Sequence, residues 1–328
     1  MSVLVTGGAG YIGSHTVSQL VKNDEDVIIL DNLEKGHKQS ITNGKFYLGD
    51  IRNTKILDEI FTENDIDSVI HFAAYSLVGE SVLNPLKYYE NNVYGSTILI
   101  KKMIEYGVKK IVFSSTAAIY GEPESIPIKE ESRLNPTNPY GESKLAIERL
   151  LKWSDAAYGL RYISLRYFNA AGADINGKIG EDHNPESHLI PLILRVALGK
   201  SDCISIYGND YKTNDGTCVR DYIHVTDLAD AHVLAIKKLR SDNKSEVYNL
   251  GNGTGFSVKE VIDASREVTK IDIKSKVTDR RPGDPAILIA SSEKIKSDLN
   301  WTPEFCDINK IIETAWNWHK NYPRGYKE

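Results

Sequence analysis

Apolar residues in the first half of the chain come in short unbroken runs separated by stretches of mixed character. Val3-Leu4-Val5, Val27-Ile28-Ile29-Leu30, Val69-Ile70-His71-Phe72, Ile111-Val112-Phe113 and Tyr162-Ile163-Ser164-Leu165 are such runs. Continuous rather than alternating hydrophobicity is what a strand buried on both faces requires, so these read as parallel strands joined by right-handed helical crossovers. The predicted fold class is α/β, a doubly wound parallel sheet. Between Pro85 and Tyr106 lies the longest helical candidate of this part, whose Leu99, Ile100 and Met103 form an apolar stripe for the sheet or for a second subunit.

After about Ala170 the pattern breaks into loops and shorter elements, with Gly172, Gly177, Gly180, Gly208 and Gly216 set among Asn and Asp. A smaller second domain of α+β type, carrying a binding site on its loops, is expected there. The helix-like segment Asp227 to Lys238 and the strand-like Val247-Tyr248-Asn249-Leu250 are expected to return to the first sheet. The predicted division is therefore 1–170, joined by 216–253, and 171–328.

A length of 328 residues fits two domains. The formal net charge of −5 offers no cationic surplus for a nucleic-acid backbone, which argues against nucleic acid as a partner. Even the most apolar stretch, Leu189 to Leu198, is interrupted by Arg195 and too short to span a bilayer, so no membrane partner is expected. Ser2-Val3-Leu4-Val5-Thr6 shows no basic leader, and the cysteines (Cys203, Cys218, Cys306) are odd in number and widely spaced, which together point to a cytoplasmic location.

Directly after the first strand stands Gly7-Gly8-Ala9-Gly10-Tyr11-Ile12-Gly13. Glycines at this place allow a tight turn and close approach of the backbone to a pyrophosphate, which the next helix meets with free amides and its dipole. Asp31 closes the second strand, eighteen residues past Gly13, where a carboxylate accepts from a ribose hydroxyl pair and repels a 2′-phosphate. No Arg or Lys precedes Lys35 in that loop, so the expected cofactor is NAD, in a Rossmann-like domain.

Asn138-Pro139-Tyr140-Gly141-Glu142-Ser143-Lys144 reads as the start of a helix, with Asn138 as cap, Pro139 in the first turn and Gly159 as its end. Tyr140 and Lys144 then share one face, and the ammonium is expected to lower the phenol pKa so that phenolate serves as a general base. Ser114-Ser115-Thr116 follows the strand Ile111–Phe113 at the edge where open α/β sheets bind ligands, and aims a hydroxyl at the same place. Among the eight histidines no H-x-x-x-H spacing occurs, and the cysteines form no C-x-x-C; no metal is expected.

The glycine motif, the hydroxyl after the strand and Tyr-x-x-x-Lys resemble the extended short-chain dehydrogenases/reductases. Asp31-Asn32-Leu33, His71-Phe72-Ala73-Ala74, Val78-Gly79-Glu80-Ser81, Leu165-Arg166-Tyr167-Phe168-Asn169, Gly180-Glu181-Asp182, Gly208-Asn209-Asp210-Tyr211, Val219-Arg220-Asp221-Tyr222-Ile223-His224 and Tyr248-Asn249-Leu250-Gly251 sharpen this to a resemblance to the UDP-glucose 4-epimerases, nearly end to end. The resemblance implies an isomerase that interconverts UDP-galactose and UDP-glucose through a 4-keto intermediate. NAD, tightly bound, takes a hydride from C4 of the sugar and returns it to the opposite face. It also implies a homodimer formed through first-domain helices, and a role in galactose metabolism or in supplying polysaccharide precursors.

Carried onto this chain, Tyr140 is the acid/base, Lys144 holds the cofactor ribose and Thr116 hydrogen-bonds the sugar oxygen. Gly7, Gly10, Tyr11, Ile12, Gly13, Asp31, Asn32, Asp50, Ile51, Phe72, Ala73, Ala74, Asn91 and Phe168 match cofactor positions; Asn169, His188, Leu189, Tyr207, Arg220, Arg281, Asp284 and Leu288 match substrate positions. The chain departs from the family in carrying Thr116 where many members have serine, Ser76 where some have lysine, and Ser187-His188 in place of two asparagines. Leu288 is shorter than the tyrosine of members confined to glucose and galactose, which implies that UDP-GlcNAc and UDP-GalNAc are also accepted. A nucleotide-sugar 4,6-dehydratase is disfavoured because only Ala117-Ala118 follow Thr116, leaving no acid and base for elimination. A non-catalytic NAD-binding protein is the remaining alternative.

Overall fold

The computed structural model describes residues 1–281 and 284–326; Pro282, Gly283, Lys327 and Glu328, all of the predicted second domain, lie outside the described residues. The first part runs β1 (Ser2–Thr6), α1 (Tyr11–Lys22), β2 (Asp26–Asp31), β3 (Lys45–Leu48), α2 (Thr54–Glu63), β4 (Ile66–His71), α3 (Val78–Leu83), α4 (Pro85–Tyr88), α5 (Gly95–Glu105), β5 (Lys110–Thr116), α6 (Pro139–Tyr158) and β6 (Arg161–Tyr167). It continues with β7 (Asn169–Ala171), α7 (Leu189–Ala197), β8 (Ile204–Tyr207), β9 (Val219–Arg220), β10 (Tyr222–His224), α8 (Val225–Asp242) and β11 (Glu246–Leu250). The last elements are β12 (Phe256–Ser257), α9 (Val258–Thr269), β13 (Ser275–Thr278), β14 (Ile287–Leu288), α10 (Glu293–Leu299) and α11 (Ile308–Asn321).

Seven strands form one parallel sheet in the order β11-β6-β5-β4-β1-β2-β3. This is the doubly wound, Rossmann-like arrangement: the chain first moves outward from β1 to β3, then returns to β4 on the other side, and a ligand crevice opens where the direction reverses. Each apolar run of the first half is a strand. β3 escapes that pattern because it is a four-residue edge strand in which Tyr47 alone is buried. A second difference lies in β5, which continues through Ser114 and Ser115 to Thr116, so these hydroxyls belong to the strand.

Helices cover both faces of the sheet. On one, Val17 and Leu20 of α1 and Leu228, Ala231, Ile236 and Leu239 of α8 pack on Val3, Val5, Ile29, Ile70, Val112 and Ile163. On the other, Leu57 and Ile60 of α2, Leu99, Ile100 and Met103 of α5 and Ile147 and Leu151 of α6 pack on Leu4, Ile28, Leu30, Val69, Ile111 and Phe113. The stripe on α5 thus serves the sheet, each such side chain contributing roughly 1.5–3 kcal/mol by its burial. The helical path from Pro85 to Glu105 is continuous, with Tyr89–Tyr94 wound as π-helix. A separate core joins α7, α9 and α11 through Ile193, Leu194, Val261, Ile262, Ile311 and Ile312.

Candidate active site

Seven parallel strands, β1 to β6 and β11, end at the same edge, and the segments that leave their carboxyl ends build the site. After β1 the chain turns at Gly7, with φ +74° and so close to its neighbours that a Cβ would stand 2.7 Å from the Ala73 nitrogen. A Cβ on Gly13 would lie 2.1 Å from the Gly7 carbonyl oxygen. Only glycine fits either place. Gly10 is the N-cap of α1 and no side chain caps that helix, which leaves the amides of its first turn, Tyr11, Ile12 and Gly13, without an intrahelical acceptor. Free amides at the positive end of a helix dipole fit a diphosphate.

Asp31 ends β2 and braces this turn: its Oδ2 accepts from the Ala9 amide at 2.9 Å and its Oδ1 from the Leu33 amide at 2.8 Å. Burial pushes its carboxyl pKa up against those bonds. Beside it, Asn32 donates to Asp50 at 3.1 Å, and the Arg52 guanidinium holds the Asp50 carboxyl below the usual range. Ile51 is buried. Past β4, the Phe72 and Ala73 amides donate to the Thr6 carbonyl at 2.9 and 3.1 Å, which draws this segment, with Ala74 next, against the glycine turn. Asn91 is buried in the π-helical stretch, and the Phe168 amide donates to the Leu250 carbonyl at 3.2 Å.

The helix that carries Tyr140 and Lys144 is capped as its sequence predicts. Asn138 Oδ1 accepts from the Gly141 amide at 2.9 Å, Pro139 opens the first turn, and Gly159 ends it at φ +68°. Tyr140 lies edge-on to Tyr88, ring centroids 6.5 Å apart. The expected direction of its pKa is corrected: burial pushes the phenol up, and the opposing influence is the Thr116 hydroxyl. Lys144 explains why. Its side chain is buried, Nζ donates to the Ser114 carbonyl at 2.7 Å, and loss of hydration brings its own pKa down to about 7. An ammonium so weakly held stands near the midpoint of its titration at neutral pH and draws the phenol down little.

A buried ion pair that sequence reasoning missed supports Lys144. Glu148, one helical turn further on, accepts from Arg166 Nη2 at 2.6 Å and Nε at 2.9 Å, and from the Ser115 hydroxyl at 2.6 Å. Its charge pulls the Lys144 pKa back up. The i,i+4 spacing of Lys144 and Glu148 was the available signal. Ser114, for its part, bonds the Tyr167 hydroxyl, so of the three neighbouring hydroxyls Thr116 is the one beside Tyr140. The buried histidines are structural: His71 lies between Thr6 and Ser96 at 2.7 and 2.8 Å, with its pKa lowered to about 3 by burial.

A cavity of about 400 Å³ adjoins this edge and is lined by Asn169, His188, Leu189, Tyr207, Arg220, Arg281 and Asp284, together with Cys203 and Cys218. Thr116 pairs in register with Tyr167, two residues before Asn169, which relates the catalytic edge to the cavity. Arg220 is ion-paired with Asp284, and the Arg281 guanidinium lies 3.9 Å from the centre of the Tyr207 ring. Of the substrate residues expected from the sequence, Thr116, Tyr140 and Leu288 are not part of this lining. Leu288 packs instead, as Phe168 does, against Ile119, Tyr120, Ile128 and Leu145, and pairs in register with Arg220. The loop before α7 brings together a group that spacing did not reveal, Glu181, His183, Glu186 and His188.

Residues 3–251 match the NAD dependent epimerase/dehydratase family. The chain is similar to the UDP-glucose 4-epimerase of Halalkalibacterium halodurans, 61% identical over 99% of this chain and 98% of that one. It superposes on the crystal structure of UDP-glucose 4-epimerase from Bifidobacterium longum in complex with NAD+ and UDP with a TM-score of 0.95, at 41% identity over 99% of this chain and 100% of the other. The UDP-Glc/GlcNAc 4-epimerase from Campylobacter jejuni gives a TM-score of 0.86, at 43% identity over 98% of this chain and 99% of the other. With the glycine turn, the acid at the end of β2 and the Tyr-Lys pair all at one sheet edge, this chain belongs to the NAD-dependent epimerase/dehydratase family.

Proposed function

We propose that the chain is an NAD-dependent isomerase that interconverts UDP-galactose and UDP-glucose. The observation that carries this reading is the convergence of Tyr140, Thr116 and buried Lys144 at the carboxyl edge of the sheet, beside a cavity with two arginines. NAD, when bound, supplies the acceptor and later the donor of a hydride at C4 of the sugar. Gly7, Gly10, Gly13, Tyr11 and Ile12 hold its diphosphate, and Asp31 and Asn32 its adenine-side ribose. Asp50, Ile51, Phe72, Ala73, Ala74, Asn91 and Phe168 would contact the rest of the cofactor. Lys35, the first cation after β2, donates to the Asn184 carbonyl at 2.8 Å, so it is engaged away from any 2′-phosphate, in keeping with NAD rather than NADP.

Tyr140 takes the proton from the sugar O4 and later returns it. Thr116 donates to the same oxygen and is the group that eases the Tyr140 proton off, while Lys144 would hold the nicotinamide-side ribose. Arg220, set by Asp284, and Arg281 clamp the diphosphate, for which a planar guanidinium is suited. Tyr207 flanks the uracil, while Asn169, His188 and Leu189 line the sugar side. Epimerisation needs the keto sugar to turn over in the site and no further bond to break, which suits a sheet edge with one acid/base. Elimination of water would need a second proton-transfer pair, and Ala117 and Ala118 occupy that place. The assay that tests the reading is turnover of UDP-galactose with and without the Tyr140 phenol.

In this reading 1–170 with 216–253 form the NAD-binding domain and 171–328 the nucleotide-sugar domain. Leu288, shorter than the tyrosine of members confined to glucose and galactose, supports UDP-GlcNAc and UDP-GalNAc as substrates as well. A second copy of the chain covers the apolar residues left exposed on α3, α4 and the helical stretch after them, Val82, Leu83, Leu86, Tyr89 and Tyr94, with Trp153 of α6. No helix of the described residues is long and apolar enough to cross a membrane. The free thiols of Cys203, Cys218 and Cys306 are in keeping with the cytoplasm. Galactose metabolism and the supply of polysaccharide precursors are both served by this reaction.

A further inference from the structure

Between β7 and α7 the chain folds back so that two imidazoles and two carboxylates face one centre. His188 Nδ1 lies 2.8 Å from a Glu181 oxygen and 2.9 Å from a Glu186 oxygen. His183 Nδ1 lies 3.1 Å from the same Glu181 oxygen and 3.8 Å from the other oxygen of Glu186. The four ligand atoms all fall within 4.8 Å of one another. A tetrahedral ion with bonds of about 2.1 Å spaces its ligands about 3.4 Å apart, so the His–Glu contacts already bracket that spacing, and the widest separation in the group closes by no more than about 1.4 Å on side-chain rotation. We propose that Glu181, His183, Glu186 and His188 form a site for a single divalent transition-metal ion of the zinc class.

Charge and second contacts support that assignment. Each carboxylate side chain is only 5% exposed, and among the described residues neither has a Lys or Arg in ion-pair contact, so their two negative charges are balanced by imidazolium protons or by one divalent cation. Two neutral imidazoles with two carboxylates make a donor set that zinc, cobalt and nickel take and that magnesium, which prefers oxygen and water, does not. Glu186 Oε1 is already oriented by the amides of Ser187 and His188, at 2.7 and 2.8 Å, the outer-shell support a metal ligand needs. Glu181 and His188 also line the cavity, which gives an ion its way in.

The site sits in a segment that spans from the glycine turn to the sugar cavity. Tyr11 donates to the Gly172 carbonyl at 2.7 Å, and Lys35 to the Asn184 carbonyl at 2.8 Å. A bound ion therefore clamps the loop that lies against both binding regions. The test is titration calorimetry of the tag-free NAD-loaded enzyme, stripped with a chelator, with zinc chloride alone and with magnesium chloride as control, alongside thermal unfolding. One equivalent of zinc per chain, no magnesium uptake at the same concentrations, and a zinc-dependent rise in melting temperature are expected. His183→Ala weakens zinc binding by at least about tenfold and removes the rise. His183 takes no part in the reaction proposed above, so UDP-galactose turnover persists in that variant. Glu186→Gln, which preserves shape, carries the same test if His183→Ala does not fold, and Cys306→Ser leaves binding unchanged. Absence of stoichiometric zinc binding, or binding unaltered in both ligand variants, would overturn the proposal. Because binding is the readout, its failure leaves the epimerase reading untouched.

Discussion

Lys144 Nζ donates to the Ser114 carbonyl at 2.7 Å while Glu148, one turn along the same helix, holds up its affinity for a proton against the loss of hydration. The balance of these two effects places the ammonium near its titration point at about pH 7. Replacing Glu148 by Gln removes the supporting charge and leaves Arg166 without its partner, so Lys144 loses its proton at lower pH. The alkaline limb of the kcat profile then moves to lower pH. An alkaline limb that stays in place would show that the Glu148 charge does not reach Lys144.

The same group has a sign in stability. Its folded pKa is below the ordinary lysine value, so between about pH 7 and that value the unfolded chain binds a proton that the folded chain does not. The contribution of Lys144 therefore rises with pH across this window and is constant below it. Lys144→Met flattens the rise in urea-unfolding free energy of the cofactor-free protein over that window; an unchanged slope contradicts this linkage.

Asp31 serves the glycine turn as well as the proposed ribose. In Asp31→Asn a single acceptor oxygen replaces the two that bond Ala9 and Leu33, and a buried amide loses its partner at a cost of about 1–3 kcal/mol. The variant is expected to unfold at lower urea and to release its NAD on gel filtration. Full retention of NAD at unchanged stability would remove Asp31 from both roles.

Leu83 and Leu86 are 80% and 82% exposed, so a charge there meets no core of its own chain. Leu83→Asp with Leu86→Asp is expected to turn a dimer into a monomer in sedimentation velocity, with the far-UV spectrum unchanged. Wild-type sedimentation as a monomer would contradict the proposed covering of this surface.

Leu288→Tyr is expected to abolish turnover of UDP-GlcNAc while UDP-galactose is still converted. The residue packs on the same buried cluster as Phe168 rather than on the cavity wall, so the larger ring would act by displacing that cluster. Equal turnover of UDP-GlcNAc by variant and wild type would sink the idea.

The sheet was legible because its strands are buried on both faces and so write themselves as continuous apolar runs; β3 was not, since an edge strand with Tyr47 alone buried carries almost no pattern. Asn138, Pro139 and Gly159 bound their helix from sequence because caps and breakers are local chemistry. The Tyr140–Lys144 pair could be read for the same reason. What could not be read was how burial weighs on it: the phenol is pushed up rather than down, and the Glu148–Arg166 pair beneath it joins a helix to a strand eighteen residues away. The His183 and His188 group escaped because its ligands are brought together by a loop, with no helical spacing to betray them.

The most direct test of the central claim is a coupled assay on purified protein given UDP-galactose and no added NAD, scoring UDP-glucose, with Tyr140→Phe as control. Formation of UDP-glucose by the wild type and its loss in the variant are predicted, because the phenol is the group that exchanges the proton with the sugar. Equal turnover by both proteins would contradict that role, and no turnover by the wild type, even with NAD supplied, would contradict the reaction itself.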